Sequence, residues 1–355
     1  MTVRITKPEF NLRDKLSEID KPSGLKGNEL MRAGTTQDAR DLMSADRRNL
    51  IINGDFRISQ RADYTTSAVT AGHDTYWLDR WMSLKSGTTS TMQRVTRTVN
   101  GISQYAARIE CTVAGTGIMG FNQRVELTNI PVGRTLTASA MVRTNHPYVG
   151  FRTNTFQGTN GDRGVKAIPD GNWHRIYWTF DSTGTTNAQG GDLLIVAYND
   201  AAVSIAVGDF IEIAEVQLEV GKVATEFEHR SFAEEFKLCQ RYHYTMVPLD
   251  NYAAYGVGGA YSSTQAVAII QFPVPMRAKP TFSYTGALGN FYDVIGGFSG
   301  ADEFDSMVVN NTMGTAGGQA VSAKVQVVGS GTVSNPFMLA SEANTTTRLH
   351  FDAEL

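Results

Sequence analysis

Residues 173–180 read Trp173-His174-Arg175-Ile176-Tyr177-Trp178-Thr179-Phe180. On a pleated strand Arg175, Tyr177 and Thr179 fall on one side, and His174, Ile176, Trp178 and Phe180 on the other, so one face is strongly apolar and belongs in a core. This period of two sets the fold class as mainly β. Working outward, the same pattern predicts strands at 105–113, 121–127, 135–142, 193–198 and 210–218, with turn residues at most junctions. Short strands at such intervals suit a jelly-roll β-sandwich. Upstream, Asn49-Leu50-Ile51-Ile52-Asn53-Gly54-Asp55-Phe56 reads as an apolar strand entering an Asn-Gly turn. Because all four Trp lie between 77 and 178, residues 49–230 form one folding unit with its own core.

Composition agrees with many strands and tight turns. Hydrophobic residues make up 41% of the 355, charged residues 19%, and there are 34 Gly. A chain of this length holds two β domains of about 100–200 residues each. The net charge of −3 supplies no basic field for a nucleic-acid backbone. With no stretch of about 18 apolar residues and no apolar leader, membrane insertion and export are not expected, which implies synthesis in a cytoplasm. Cys111 and Cys239 read as two buried thiols rather than a disulfide framework.

Residues 1–48 differ from the rest, being rich in charge and poor in aromatics. Leu12, Leu16 and Ile19 form a narrow helical stripe, and Thr36 caps a second helical pattern with Leu42 and Met43 on one face. Helices of about ten residues need a partner to lie against, so this helical arm reads as an anchor, the other reading being a loosely ordered terminus. Ser231-Phe232-Ala233-Glu234 is a capping box, and Phe232, Phe236 and Cys239 repeat at helical spacing, so 231–241 is a short linking helix. Residues 242–355 return to strands, at 266–272, 281–284, 320–328 and 348–353, and form a second, C-terminal β-sandwich domain.

The sequence offers little chemistry. Gly115-Thr116-Gly117-Ile118-Met119-Gly120 matches a dinucleotide fingerprint by letter, but a strand follows it instead of a helix, so it reads as a glycine hairpin between two strands. The six histidines show no zinc spacing, and Ser299 lacks the helix of a nucleophile elbow. No catalytic residue is proposed.

Two stretches carry a family resemblance. The first is 49–56, continued by Ile58-Ser59-Gln60-Arg61 and by Trp77-Leu78-Asp79-Arg80-Trp81. It resembles the opening of the carbohydrate-binding-module-like jelly roll of phage virion proteins. The second, Ile211-Glu212-Ile213-Ala214-Glu215-Val216-Gln217-Leu218 with 224–231 and Cys239-Gln240-Arg241-Tyr242, resembles the closing strand and exit helix of the same module. In the arm, Lys7-Pro8-Glu9-Phe10-Asn11-Leu12 is similar to the N-termini of tail-fibre proteins of marine phages, including cyanophages.

That resemblance implies a non-enzymatic virion protein, a tail fibre or spike made in a host cytoplasm. Phe10, Leu12, Leu16, Ile19, Leu42 and Met43 would anchor it to a tail hub or nozzle, the β domains would face a host-surface glycan, and the chain would form a homotrimer. A capsid decoration or head-fibre protein of the same build, docked on the capsid shell, is the alternative, and a polysaccharide depolymerase is the enzymatic one. Tyr76, Tyr148, Trp173 and Tyr198 are the glycan-contact residues so implied, while Trp81 and Trp178 read as core. Related modules often carry a calcium ion between first and last strands, which would place a structural calcium near Asp55 and Glu215; ordinary hydrogen-bonded turn carboxylates are the other reading.

Overall fold

Period-two patterning becomes strand almost wherever the chain is seen. A computed structural model describes residues 49–130, 132–154, 156, 166–183, 190–198, 204–293, 304–329, 336–342 and 345–355. The arm with Phe10, Leu12, Leu16, Ile19, Leu42 and Met43 lies outside the described residues, as does Ser299.

The first ten strands in chain order are β1 (Val69–Thr70), β2 (Thr75–Leu78), β3 (Trp81–Ser86), β4 (Thr89–Val99), β5 (Ile102–Val113), β6 (Ile118–Val125), β7 (Thr135–Thr144), β8 (Val149–Asn154), β9 (His174–Asp181) and β10 (Gly191–Tyr198). With β11 (Phe210–Val220) they make a six-stranded sheet ordered β1-β4-β5-β11-β7-β9 and a five-stranded sheet ordered β2-β3-β6-β10-β8, all antiparallel. Between the two sheets lie Phe56, Trp77, Trp81, Phe121, Phe151 and Ile195, each fully buried. A large apolar side chain moved out of water contributes roughly 1.5–3 kcal/mol, so these rings are the main force joining the sheets. In β9, Ile176 and Phe180 enter this core and Trp178 packs against it, while Arg175, Tyr177 and Thr179 are exposed, as the alternation requires.

Two local expectations need correction. Residues 49–56 are not a strand: their backbone meets β11 only at two separated points, Leu50 N–H to the Leu218 carbonyl and Val216 N–H to the Gly54 carbonyl, while the Asn49 side chain bonds the Val216 carbonyl and the Ile51 amide and the Asn53 side chain bonds the Ile58 amide. Short amides compete with ladder bonding in this way. Nor is 115–120 a hairpin, since β5 and β6 lie in different sheets and the glycines carry the crossover. There the chain passes so close to the β3–β4 turn that a Cβ on Gly115 would meet the Gly87 carbonyl oxygen at 1.7 Å.

Downstream, Ser231 caps α1 (Phe232–Gln240) by accepting from the Glu234 amide, as the capping box predicts. The strands that follow are β12 (His243–Met246), β13 (Ala254–Ser262), β14 (Gln265–Met276), β15 (Thr281–Thr285), β16 (Phe291–Asp293), β17 (Ser306–Gly314), β18 (Ala320–Val328), β19 (Pro336–Ser341) and β20 (Arg348–Asp352). They pair as β12-β20-β15 and as β16-β19-β13-β14-β18-β17. A second core lies between these two sheets, built on Phe337, Phe351, Ile270 and Leu339. Asn49–Leu355 packs as one compact unit. Both cysteines are free and buried, as read from the sequence.

Candidate functional site

The two stretches that carry the family resemblance meet in space. Asn53 donates its side-chain amide to the Ile58 and Asp79 carbonyls, and its own carbonyl accepts from the Trp81 indole at 2.9 Å. The Asn53 backbone N–H donates to Glu235 on α1. Glu235 also faces Arg230, whose guanidinium donates to the carbonyls of Asn49 and Ile51. Burial is the largest influence on the Glu235 carboxyl and holds it above the usual range despite those donors. Next to this knot Arg80, in the left-handed region at φ +70°, is fully buried. It pairs with Glu354, donates to the Arg124 carbonyl, and stacks 3.6 Å above the Tyr242 ring centroid. Burial would lower the affinity of Arg80 for its proton, but Glu354 reverses the effect and keeps the cation charged. These partners all belong to the chain itself and tie its segments together.

Tyr76 belongs to the same junction. Its hydroxyl donates to the Leu355 carbonyl at 3.1 Å, and burial beside Glu354 pushes it up to about 12. It is therefore a packing residue, not the exposed ring expected. Tyr148 lies on the other sheet, with the Lys166 ammonium 3.9 Å from its ring centroid. The side chain of Tyr198 lies outside the described residues.

Asp55, Glu215 and Trp173 do come together. A bulge in β11 between Ala214 and Gln217 turns Glu215 to φ +50° and aims it at Arg97, whose guanidinium carbon lies 5.2 Å from the Trp173 ring centroid. Asp55, Arg57, Arg97, Ser103, Gln104, Tyr105, Glu215 and His229 line a cavity of about 200 Å³ at the end of the β4–β5 hairpin. That is room for roughly six or seven waters. Each carboxylate there already holds an arginine, Asp55 with Arg57 and Glu215 with Arg97, and Arg97 also donates to Gln104 at 2.8 Å. Calcium needs roughly six to eight oxygens and no adjoining cations. The residues present do not fit that ion. Among the described residues no group of three or more His, Cys, Asp or Glu is placed to hold a metal.

The outer face of the six-stranded sheet is paired in the same manner. Arg108 bridges Glu110 and Glu212, and Arg143 reaches Glu212 at 2.9 Å. The edge strand β9 is different. Trp173, Arg175 and Tyr177 follow one another on its outward side, about 7 Å apart along the strand. Tyr177 is 58% exposed and Trp173 is half-buried. Tyr177 is absent from the set of rings expected at a glycan, yet its parity with Arg175 and Thr179 on the polar side of the alternation is the signal that would have found it.

A larger cavity of about 510 Å³ lies between α1 and the second sandwich, against Phe236, Tyr244, Met246 and Leu249. Its lining is mostly apolar, and Asp250 is the one ionisable carboxylate in it.

No family model matches the chain, and no curated protein matches it. Several solved structures are similar over about half of it. One is the CBM22-1 xylan-binding domain of Xyn10C from Paenibacillus barcinonensis, at 11% identity and TM-score 0.30, covering 46% of this chain and 100% of that one. Another is the enzymatically active domain of tailspike protein 4 of bacteriophage CBA120, at 11% identity and TM-score 0.30, covering 49% of this chain and 22% of that one. The family 11 carbohydrate-binding module of Lic26A-Cel5E from Clostridium thermocellum matches at 15% identity and TM-score 0.27, over 46% of this chain and 98% of that one. Likeness at this level carries no argument about ligand or activity.

Proposed function

We propose that the chain is a non-enzymatic attachment protein of a phage particle, a tail fibre or spike, which contacts a surface glycan through the outward side of β9. The observation that carries this reading is the ridge of Trp173, Arg175 and Tyr177 on the edge strand β9. An exposed ring offers a flat apolar face to the apolar side of a pyranose, and polar neighbours bond its hydroxyls. Arg175 and Thr179 supply those neighbours.

The acids support a role without chemistry. Asp55, Glu110, Glu212 and Glu215 each hold an arginine, whereas glycoside cleavage needs one carboxyl kept protonated beside a second that is free. The sequence resemblance to virion proteins supports the remaining elements: anchoring by 1–48, a homotrimer, and synthesis in a host cytoplasm.

The full chain applied to a glycan array, followed by titration of a bound glycan, tests the reading. Tyr177→Ala is expected to weaken binding about tenfold, equivalent to ~1.4 kcal/mol, with Trp173→Ala comparable. A silent array, or affinity unchanged in both variants, overturns it. Gold-labelled antibody on particles is expected to mark the tail; label on the capsid shell would reassign the chain as a decoration protein.

A further inference from the structure

Resting on that saccharide reading, we infer that the β9 ridge takes an anionic glycan, its carboxylate or sulfate seated on Arg175. Arginines on the outer face of this sheet are otherwise matched by acids: Arg97 with Glu215, Arg108 with Glu110 and Glu212, Arg143 with Glu212. Arg175 breaks the pattern. Its Nη2 donates to two neutral oxygens, the Ser139 hydroxyl at 3.2 Å and the Thr225 carbonyl. Among the described residues no carboxylate pairs with it, and its Nε and Nη1 hydrogens meet no protein acceptor. The nearby Asp170 is turned to His174, on the other side of the strand, with both its oxygens 2.9 Å from the His174 Nε2.

Those two bonds matter for geometry as well as charge. They hold the guanidinium against Ser139 of β7 and the Thr225 carbonyl, on the same side of the strand as Trp173 and Tyr177, instead of leaving it to sweep through solvent. A guanidinium already oriented loses little freedom when it takes an oxyanion, and bonds from a cation to an anion are about twice as strong as bonds between neutral groups. Sugar hydroxyls would use the same donors less well. A sugar unit on Tyr177 with its acidic substituent directed toward Arg175 satisfies ring and cation together.

The test titrates the full chain with three matched ligands: an oligogalacturonate, the same oligosaccharide with its carboxylates reduced to alcohols, and a sulfated form of the reduced one. The expected result is about tenfold tighter binding of an anionic form than of the neutral form at low salt. That ratio should fall to about one in Arg175→Gln and persist in Arg175→Lys, while Tyr177→Ala weakens anionic and neutral ligands alike and keeps the ratio. Preference for the carboxylate or the sulfate form identifies which group Arg175 receives. Equal binding of neutral and anionic forms by the native chain, or a ratio untouched by Arg175→Gln, overturns the inference while leaving the saccharide reading in place. Binding of none of the three, in a chain that also fails the glycan array, removes the saccharide reading itself.

Discussion

Arg80 and Arg175 are the same residue in opposite circumstances. Arg80 is enclosed, bonded to Glu354 and the Arg124 carbonyl and stacked on Tyr242, so its interactions tie the first sandwich to Tyr242 and to Glu354 near residue 355. Arg175 stands on an edge strand, fixed by two neutral oxygens and matched by no acid among the described residues. A buried cation must be fully partnered or the fold suffers, whereas an exposed one can keep donors in reserve for something outside the chain. The proposed binding ridge therefore lies apart from the junction that holds the fold, and each is expected to be perturbed without the other.

The sharpest break is at the junction. Arg80→Met leaves the buried Glu354 with only its longer contact to Arg61 at 3.4 Å, and a loss of about 3 kcal/mol is expected in denaturant unfolding. The double variant Arg80→Met with Glu354→Met should recover much of it, because both charges are then gone. A single variant as stable as the native chain would mean that this pair does not hold the junction.

How much of this was legible in the sequence follows the same division. Strands with alternating large side chains were readable, as at β9 and β11, because burial imposes their period. β13, with its run Gly256-Val257-Gly258-Gly259, gave no signal, since glycines carry no side chain to alternate. Asn49 and Asn53 were read as strand residues because nothing local tells that their amides will bond to distant backbone. The metal and glycan candidates divided for a related reason. Asp55, Glu215 and Trp173 converge through a bulge and an arginine that spacing does not reveal, and Tyr76 is partly covered and hydrogen-bonded by Leu355, some 280 residues away in sequence.

Acidity gives a smaller effect, centred on the histidine pair beside the junction. His243 and His350 stack with ring centroids 5.8 Å apart, and His350 also bonds to Thr245 at 3.1 Å and Thr285 at 2.9 Å. Burial, then His243, Arg61 and Arg348, lower His350 to about 4, with Asp352 opposing them. Between the ordinary value near 6.5 and about 4 the unfolded chain binds the proton and the folded chain does not, so stability falls as pH drops through that window. On the order of 1–2 kcal/mol is expected, since the ring is partly exposed. His146, lowered by burial, acts in the same sense, and Glu235, raised by burial, in the opposite one. The difference in melting temperature between the native chain and His350→Gln isolates the His350 part; parallel pH profiles would remove it.

At the ridge, stability should hardly respond. Tyr177→Ala removes an exposed ring and is expected to change unfolding free energy by less than about 0.5 kcal/mol while reducing glycan affinity about tenfold. A large stability loss would show the ring to be structural. Smallest of all is the effect of chelator. With Asp55 and Glu215 already held by Arg57 and Arg97, EDTA should leave the melting midpoint unchanged, and a clear drop would restore a calcium ion to that cavity.

Hydrogen exchange of the full chain, with and without a bound oligosaccharide, tests the assignment of β9 most directly. Protection is expected to concentrate at 173–179 and on the strap at 221–230, with the junction around Arg80 unchanged. Protection centred on another sheet, or none at β9 under saturating glycan, would contradict it.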